Sequence, residues 1–252
     1  MKNLIHAELL KLRTTRMIYG LALAALVFAP ITVISAITSA GKSGGAPSLT
    51  TGEGIRNVMS AGSSGAIVVL VIGILIMAGE FRHSTVTSTF LVSPKRGRVV
   101  GAKIVASALV GAGIAIVSAA LTLAISVPWL ASKHIHLHIL SHNVGVMLLG
   151  GIAAMTIYAA VGVGVGSLIR NQTAALLVAL AWVLVIEALL VGFVPEVGKW
   201  IPGGAAAALT GAANRSASGG MLPMWAGALL FAGYGLLFAV GGTRFTIRRD
   251  IS

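Results

Sequence analysis

The stretch TAALLVALAWVLVIEALLVGFV, residues 173–194, decides the fold. It carries a single ionisable side chain, Glu187. As an α-helix rising about 1.5 Å per residue, it is long enough to cross the roughly 30 Å of hydrocarbon in a bilayer. It lacks the apolar–polar alternation of a barrel strand, and an open strand would leave its backbone groups unpaired in lipid. Five further stretches have the same character: 17–38, 58–79, 104–128, 144–169 and 222–243. The second is diluted at one end by SAGSSG (60–65). The expectation is an all-α integral membrane protein with six transmembrane helices. Composition agrees: 57% of the 252 residues are hydrophobic and 10% charged, and mean hydropathy is +0.98. A soluble domain carries roughly 25% charged residues, enough to cover a wetted surface.

Charge sets the orientation. The net charge is +12. In so apolar a chain this points to loops facing an anionic lipid leaflet, not to nucleic acid. With the N-terminus inside, the inner segments hold 13 Lys and Arg residues and the outer segments five (Lys42, Arg56, Lys133, Lys199 and Arg215). The positive-inside rule therefore predicts both termini on the cytoplasmic side. The basic start and first apolar run also resemble a signal peptide, but both are long, which favours an uncleaved helix. There is no cysteine, which excludes disulfides, thiolate metal sites and thiol nucleophiles.

The stretch AITSAGKS (36–43) satisfies a relaxed phosphate-binding loop. Such a loop needs a buried strand before it and a helix opening after it. Here a membrane helix precedes it and a Gly/Ser-rich loop follows, on the outer side, away from cytosolic ATP. A chance match is the better reading.

Two cytoplasmic segments carry more information. Residues 1–16 predict an amphipathic helix, with Leu4, Ile5, Leu9 and Leu12 on one face and Lys2, Lys11 and Arg13 largely on the other. Such a helix suits the inner membrane interface, as an anchor or as a lever touching a partner. Residues 80–103 form the longest inner loop. Glu80 and Arg82 open it. Thr85, Phe90 and Leu91 lie in a Ser/Thr-rich run, and Pro94 precedes the basic turn of Lys95, Arg96 and Arg98. Chain reversal takes only about 5 residues, so the loop is read as a docking element for a cytosolic protein; the alternative is a solvated basic loop.

Taken together, AELLKLRTTR (7–16), GEFRHSTVTSTFLVSPKRGRVVGAK (79–103) and WIPGGAAAAL (200–209) resemble the transmembrane subunits of ABC-2 type exporters, common in actinobacterial gene clusters. The resemblance implies the ABC-2 (type V exporter-like) permease fold, in a bacterial cytoplasmic membrane, with multidrug or natural-product efflux as the class of activity. It implies that the loop docks on a separate ATP-binding subunit, with Glu80, Arg82, Thr85, Phe90, Leu91, Pro94 and Arg96 as coupling residues. ATP and Mg2+ then bind that subunit and no cofactor binds here directly; the sequence has no Walker B strand of its own. A second permease copy or a paralogue is implied, with spans two and five bordering the substrate path, and segment 195–221 serving as an outer gate of short re-entrant helices. By its residues alone that segment reads equally as a mobile loop.

Three features keep two readings each. Glu187 is either a substrate contact or a structural hydrogen-bond partner, since a carboxylate in a span faces protein or water. His134, His138 and His142 fall at i, i+4 and i+8, a spacing compatible with zinc or copper, or else lie in an interfacial segment whose leucines and isoleucines dip into lipid. Gly162 and Gly166 form a small-xxx-small pair that suits close helix packing or, less directly, a substrate contact. Two other classes stand beside the exporter. One is a stand-alone anchor or immunity protein without an ATPase; the other is an intramembrane enzyme, which would need paired acids, HExxH, or Ser with Lys or His at one depth. No such set is present.

Overall fold

The computed structural model describes residues 1–42, 47–82, 96–135, 143–169, 171–212, 220 and 222–248. Among them every regular element is helical. Helix α1 (Lys2–Thr14) precedes α2 (Arg16–Ser39), then α3 (Gly52–Ala61), α4 (Ala66–Arg82), α5 (Arg96–Ser132) and α6 (Val144–Leu168). Helix α7 (Gln172–Phe193) contains a π-helical segment at Trp182–Ile186. Two short helices follow, α8 (Pro195–Gly198) and α9 (Pro202–Thr210), before α10 (Met224–Arg248). Six stretches are long and apolar enough to cross a membrane. The chain is a multi-pass all-α membrane protein.

Helix bounds differ from the sequence reading at both ends of the long inner loop. Helix α4 continues to Arg82 and α5 starts at Arg96, so the first and last parts of 80–103 are helical and 83–95 connects them. Helix α5 has 37 residues, a length of about 55 Å, so it outruns a bilayer of about 30 Å. Charges do not stop a helix outside the hydrocarbon, which is why hydropathy places its start too late. The second span is broken where SAGSSG stands: α3 ends at Ala61 and α4 begins at Ala66. A Cβ on Gly65 would lie 2.7 Å from the Ala25 carbonyl oxygen, so this bend brings the chain against α2. Thr32 of α2 reinforces the junction, its hydroxyl donating to the Ala61 carbonyl oxygen at 2.8 Å. In the stretch AITSAGKS, Ala36 and Ile37 are buried on helix α2 and Lys42 is exposed; Ser43 lies outside the described residues.

Helix α6 is the centre of the bundle. Gly162 and Gly166 face α4, and Gly164 faces α10. A Cβ on Gly162 would overlap the Leu70 carbonyl oxygen and stand 2.9 Å from the Gly73 Cα; a Cβ on Gly166 would stand 2.8 Å from the Ile74 carbonyl oxygen. On the other face, a Cβ on Gly164 would lie 2.6 Å from the Phe238 carbonyl oxygen. Backbones therefore touch across both seams. Tyr158 of α6 and Phe231 of α10 add an edge-to-face pair with centroids 4.8 Å apart. Burial follows this plan. The span containing α4 is 61% buried within the chain, whereas α7 is only 17% buried.

A methyl group at Gly162 has no free volume to enter. The Gly162→Ala substitution is expected to destabilise the bundle by about 1–3 kcal/mol, the usual range for overpacking. Gly113→Ala, at a position with nothing within 4 Å of an added Cβ, is expected to leave it unchanged. Thermal unfolding of both variants in detergent checks this; equal midpoints would show that the seam opens without strain.

Candidate functional site

At the end of the bundle where α1, α4 and α5 meet, four charged side chains form one network. Glu8 and Lys11 lie one turn apart on α1, a spacing that puts them side by side, with the Lys11 ammonium 2.9 Å from Glu8 Oε1. Glu80 stands near the end of α4 and Lys103 two turns into α5. The Lys103 Nζ donates to Glu8 Oε2 at 2.8 Å and to Glu80 Oε1 at 2.7 Å. Lys11 also donates to Glu80 Oε1, at 3.0 Å. Two cations thus share two carboxylates, and the three helices are joined at a single point.

Burial makes the network consequential. The Lys103 side chain is 1% exposed, and those of Glu8 and Glu80 are 7% and 13% exposed. Taking an ammonium group this far out of water is costly unless it is paired and hydrogen-bonded; two carboxylates within 3 Å of Lys103 provide both. Leu12 is buried beside the network, and Leu9 packs against the same apolar cluster as Val100 and Ala106. The apolar face of α1 is therefore turned onto protein, not only toward lipid. Lys11 is half exposed. Burial alone would lower its pKa, but the hydrogen bonds and charges of Glu8 and Glu80 outweigh that and hold it above the ordinary lysine value.

Of the residues expected to couple the chain to a partner, Glu80 belongs to this network. Arg82 is exposed at the end of α4. Thr85, Phe90, Leu91 and Pro94 lie outside the described residues, and Arg96 opens α5. The sequence reading did not single out Glu8 or Lys103, and named Lys11 only as a polar-face charge of the N-terminal helix. One signal existed for Glu8. It is one of only six acidic residues in the chain, and it lies between Ile5 and Leu12 on the apolar face of α1.

Glu187 sits at the other end of the bundle. It is 5% exposed; its Oε1 accepts from the Trp182 indole N–H at 2.9 Å and from the Gly203 backbone N–H at 3.1 Å. The carboxylate therefore joins the π segment of α7 to the start of α9. His134 is exposed with φ 58°, while His138 and His142 lie outside the described residues. Among the described residues, no three side chains able to ligate a metal come together.

A sequence model described as "ABC-2 family transporter protein" matches residues 4–187, well over half of the chain and a stretch that includes all four members of the charge network. A comparison with curated proteins finds no match.

Lys103→Met leaves Glu8 and Glu80 buried with only Lys11 between them. Removing one partner from a buried ion pair costs about 3–5 kcal/mol, and the double variant Lys103→Met with Glu8→Gln should recover a large part of that loss; denaturant titration of both variants tests it. Lys11 supplies a pH signature. Its folded pKa is raised, so its contribution is complete below the unfolded value of 10.5 and fades as pH climbs through the higher folded value. The stability gap between the parent and Lys11→Met should be constant from pH 7 to about 10 and shrink above that. A gap that closes toward acid in this range would assign the effect to another group.

Proposed function

This chain belongs to the ABC-2 family of transporter proteins, and from that premise we propose that it is the membrane-spanning permease of an ATP-driven exporter. ATP and Mg2+ are held by a separate cytosolic ATP-binding subunit, which docks on the coupling loop 80–103. The coupling loop 80–103, the termini and the charge network face the cytoplasm of a bacterial cell, in line with the Lys/Arg bias. The exporter is completed by a second copy or a paralogue, facing this chain across sparsely covered helices such as α7, where Leu177, Leu184 and Phe193 are exposed.

The observation that supports this reading best is the network of Glu8, Lys11, Glu80 and Lys103. The connection 83–95 leaves the bundle from α4 and returns through α5, and both helices are pinned to α1 within three turns of it. A push on the connection from a closing ATP-binding subunit would thus be delivered to three helix ends together. Salt-bridged, buried ends have little rotamer freedom in which to lose the displacement. The spans behind them can then move as rigid bodies, the usual form of an alternating transition. The rest of the membrane path follows passively from that displacement.

Co-expression with candidate ATP-binding proteins from the same genome, followed by affinity capture, tests the partner. Capture is expected for the parent chain and is expected to fail for Phe90→Asp combined with Leu91→Asp. Lys103→Glu should keep capture but lower transport-linked ATP turnover about tenfold, ~1.4 kcal/mol in barrier terms. Adding Glu8→Lys should restore part of it. A chain that exerts its cellular effect in cells lacking every ATP-binding partner would overturn the exporter reading in favour of a stand-alone membrane protein.

A further inference from the structure

The second span is broken between Ala61 and Ala66, inside the stretch long and apolar enough to cross a membrane. Turns replace the helical ladder there: Gly62, Ser63 and Ser64 donate their N–H groups only three residues back, to Met59, Ser60 and Ala61. Non-helical backbone at membrane depth is tolerated where protein covers it or where it lines a wetted cavity. This bend lines a cavity shared with α5 and α6, with room for about one water molecule. Gly62 and Ser63 line it from the bend, Ala115, Ala119 and Thr122 from α5, and Gly151 from α6.

The polar groups at the cavity are matched to water. The Ser63 hydroxyl donates to the Ser60 carbonyl oxygen at 2.7 Å, and the Thr122 hydroxyl to the Ser118 carbonyl oxygen at 2.8 Å. Each has used its one hydrogen and keeps only acceptor lone pairs for the cavity. Donors stand close by. Ser118 and Ser126 lie one turn either side of Thr122 and are 1% and 0% exposed. Among the described residues, neither hydroxyl has a hydrogen-bond partner. At about 100° per residue, Ser126 projects between Ala119 and Thr122, on the face of α5 that lines the cavity. Its Cα–Cβ bond tilts toward the helix N-terminus, hence toward Thr122. Burying a hydroxyl unpaired costs more than a hydrogen bond returns. A water answers both needs, donating to Ser63 and Thr122 and accepting from Ser126. A cation would suit the two acceptors but could take nothing from the serine O–H groups, and among the described residues no charged side chain lines the cavity.

We propose that the bend of the second span is a hydration site: water seats between Ser63 and Thr122 and extends along α5 to the hydroxyls of Ser126 and Ser118. The hydroxyl row is kept wet inside the membrane, and the broken span is joined to α5 through water. Glycine leaves the space for it. A Cβ on Gly62 would overlap the Thr122 hydroxyl, whereas a Cβ on Gly151 would meet only the Ser63 Cβ, at 3.4 Å. The site belongs to the chain alone and stands or falls independently of the exporter reading.

Hydroxyl radicals made by X-ray radiolysis modify side chains beside bound water, so buried methionines of the purified chain in detergent report its presence. Met59, Met147 and Met155 line the cavity; Met77, comparably buried, does not. The three are expected to oxidise faster than Met77. Gly151→Ala, whose methyl takes the room of the water without a clash, is expected to bring them down to the Met77 rate. Equal rates for all four in the parent, or an excess that survives Gly151→Ala, would overturn the site. Ser126→Ala gives a second readout, by SDS titration in mixed micelles. Losing a hydroxyl that is bonded to water should raise the unfolding constant about fivefold, the net effect of one hydrogen bond. A neutral or stabilising Ser126→Ala marks a dry seam and also overturns the site.

Discussion

The rest of the structure depends on how closely α6 approaches α4. Lipid tails are as apolar as leucine side chains, so burial supplies little drive for one helix to choose another inside a membrane. Helix choice there rests on contact distance. Gly73 and Gly162 bring two backbones to where a single methyl would stand 2.9 Å from the opposite Cα, and Gly166 extends the seam by one turn. Gly111 of α5 comes to the same place, where a Cβ would stand 2.8 Å from the Ala159 Cβ. Once α4, α5 and α6 are fixed in this way, α10 closes on the far face through Gly164. Helices α2 and α7 are left with wide lipid-facing surfaces.

That geometry carries the charge network. Helices α4 and α5, each held against α6 by glycine contacts, set the spacing of Glu80 and Lys103 beyond those contacts. Without a rigid base, two carboxylates and two ammonium groups would drift apart into water, where an exposed pair is worth at most about 1 kcal/mol. Held in place and mostly buried, they are mutually dependent: Lys103 needs both carboxylates, and Glu8 and Glu80 need Lys103. The membrane packing provides position, and the charges join three helix ends at one point. Among the described residues, these are the ion pairs that tie different helices to one another.

Spans were legible in the sequence because length and apolarity suffice for them. The 22 residues around Glu187 could cross a bilayer whatever their neighbours did. Helix ends were less legible, since α5 starts two turns earlier than its apolar run and nothing in hydropathy forbids that. Gly162 and Gly166 could be singled out from their spacing, but their partner Gly73 could not, because the α4–α6 register is a tertiary fact. The same holds for Glu8 and Lys103, which are 95 residues apart. A basic amphipathic helix hides an acid easily, and Lys103 read as one more positive-inside charge. The sequence showed Glu187 as a costly residue in a span. It could not show the π turn that stacks Trp182 beneath it, nor the helix start it caps, because both depend on backbone geometry that no residue pattern announces.

The bridge between Glu8 and Lys103 also bears on how the molecule is made. The ribosome releases Glu8 long before Lys103, and Lys103 reaches its place only when the third span has entered the membrane with its leading turns on the same side as α1. Until then α1 must wait at the membrane surface, its carboxylate in water and its leucines against lipid. Closure of the four-charge set is therefore a record of correct insertion: a third span threaded the wrong way would put Lys103 across the bilayer and leave α1 undocked. The same contact that stiffens the finished protein distinguishes a properly threaded chain from a misthreaded one.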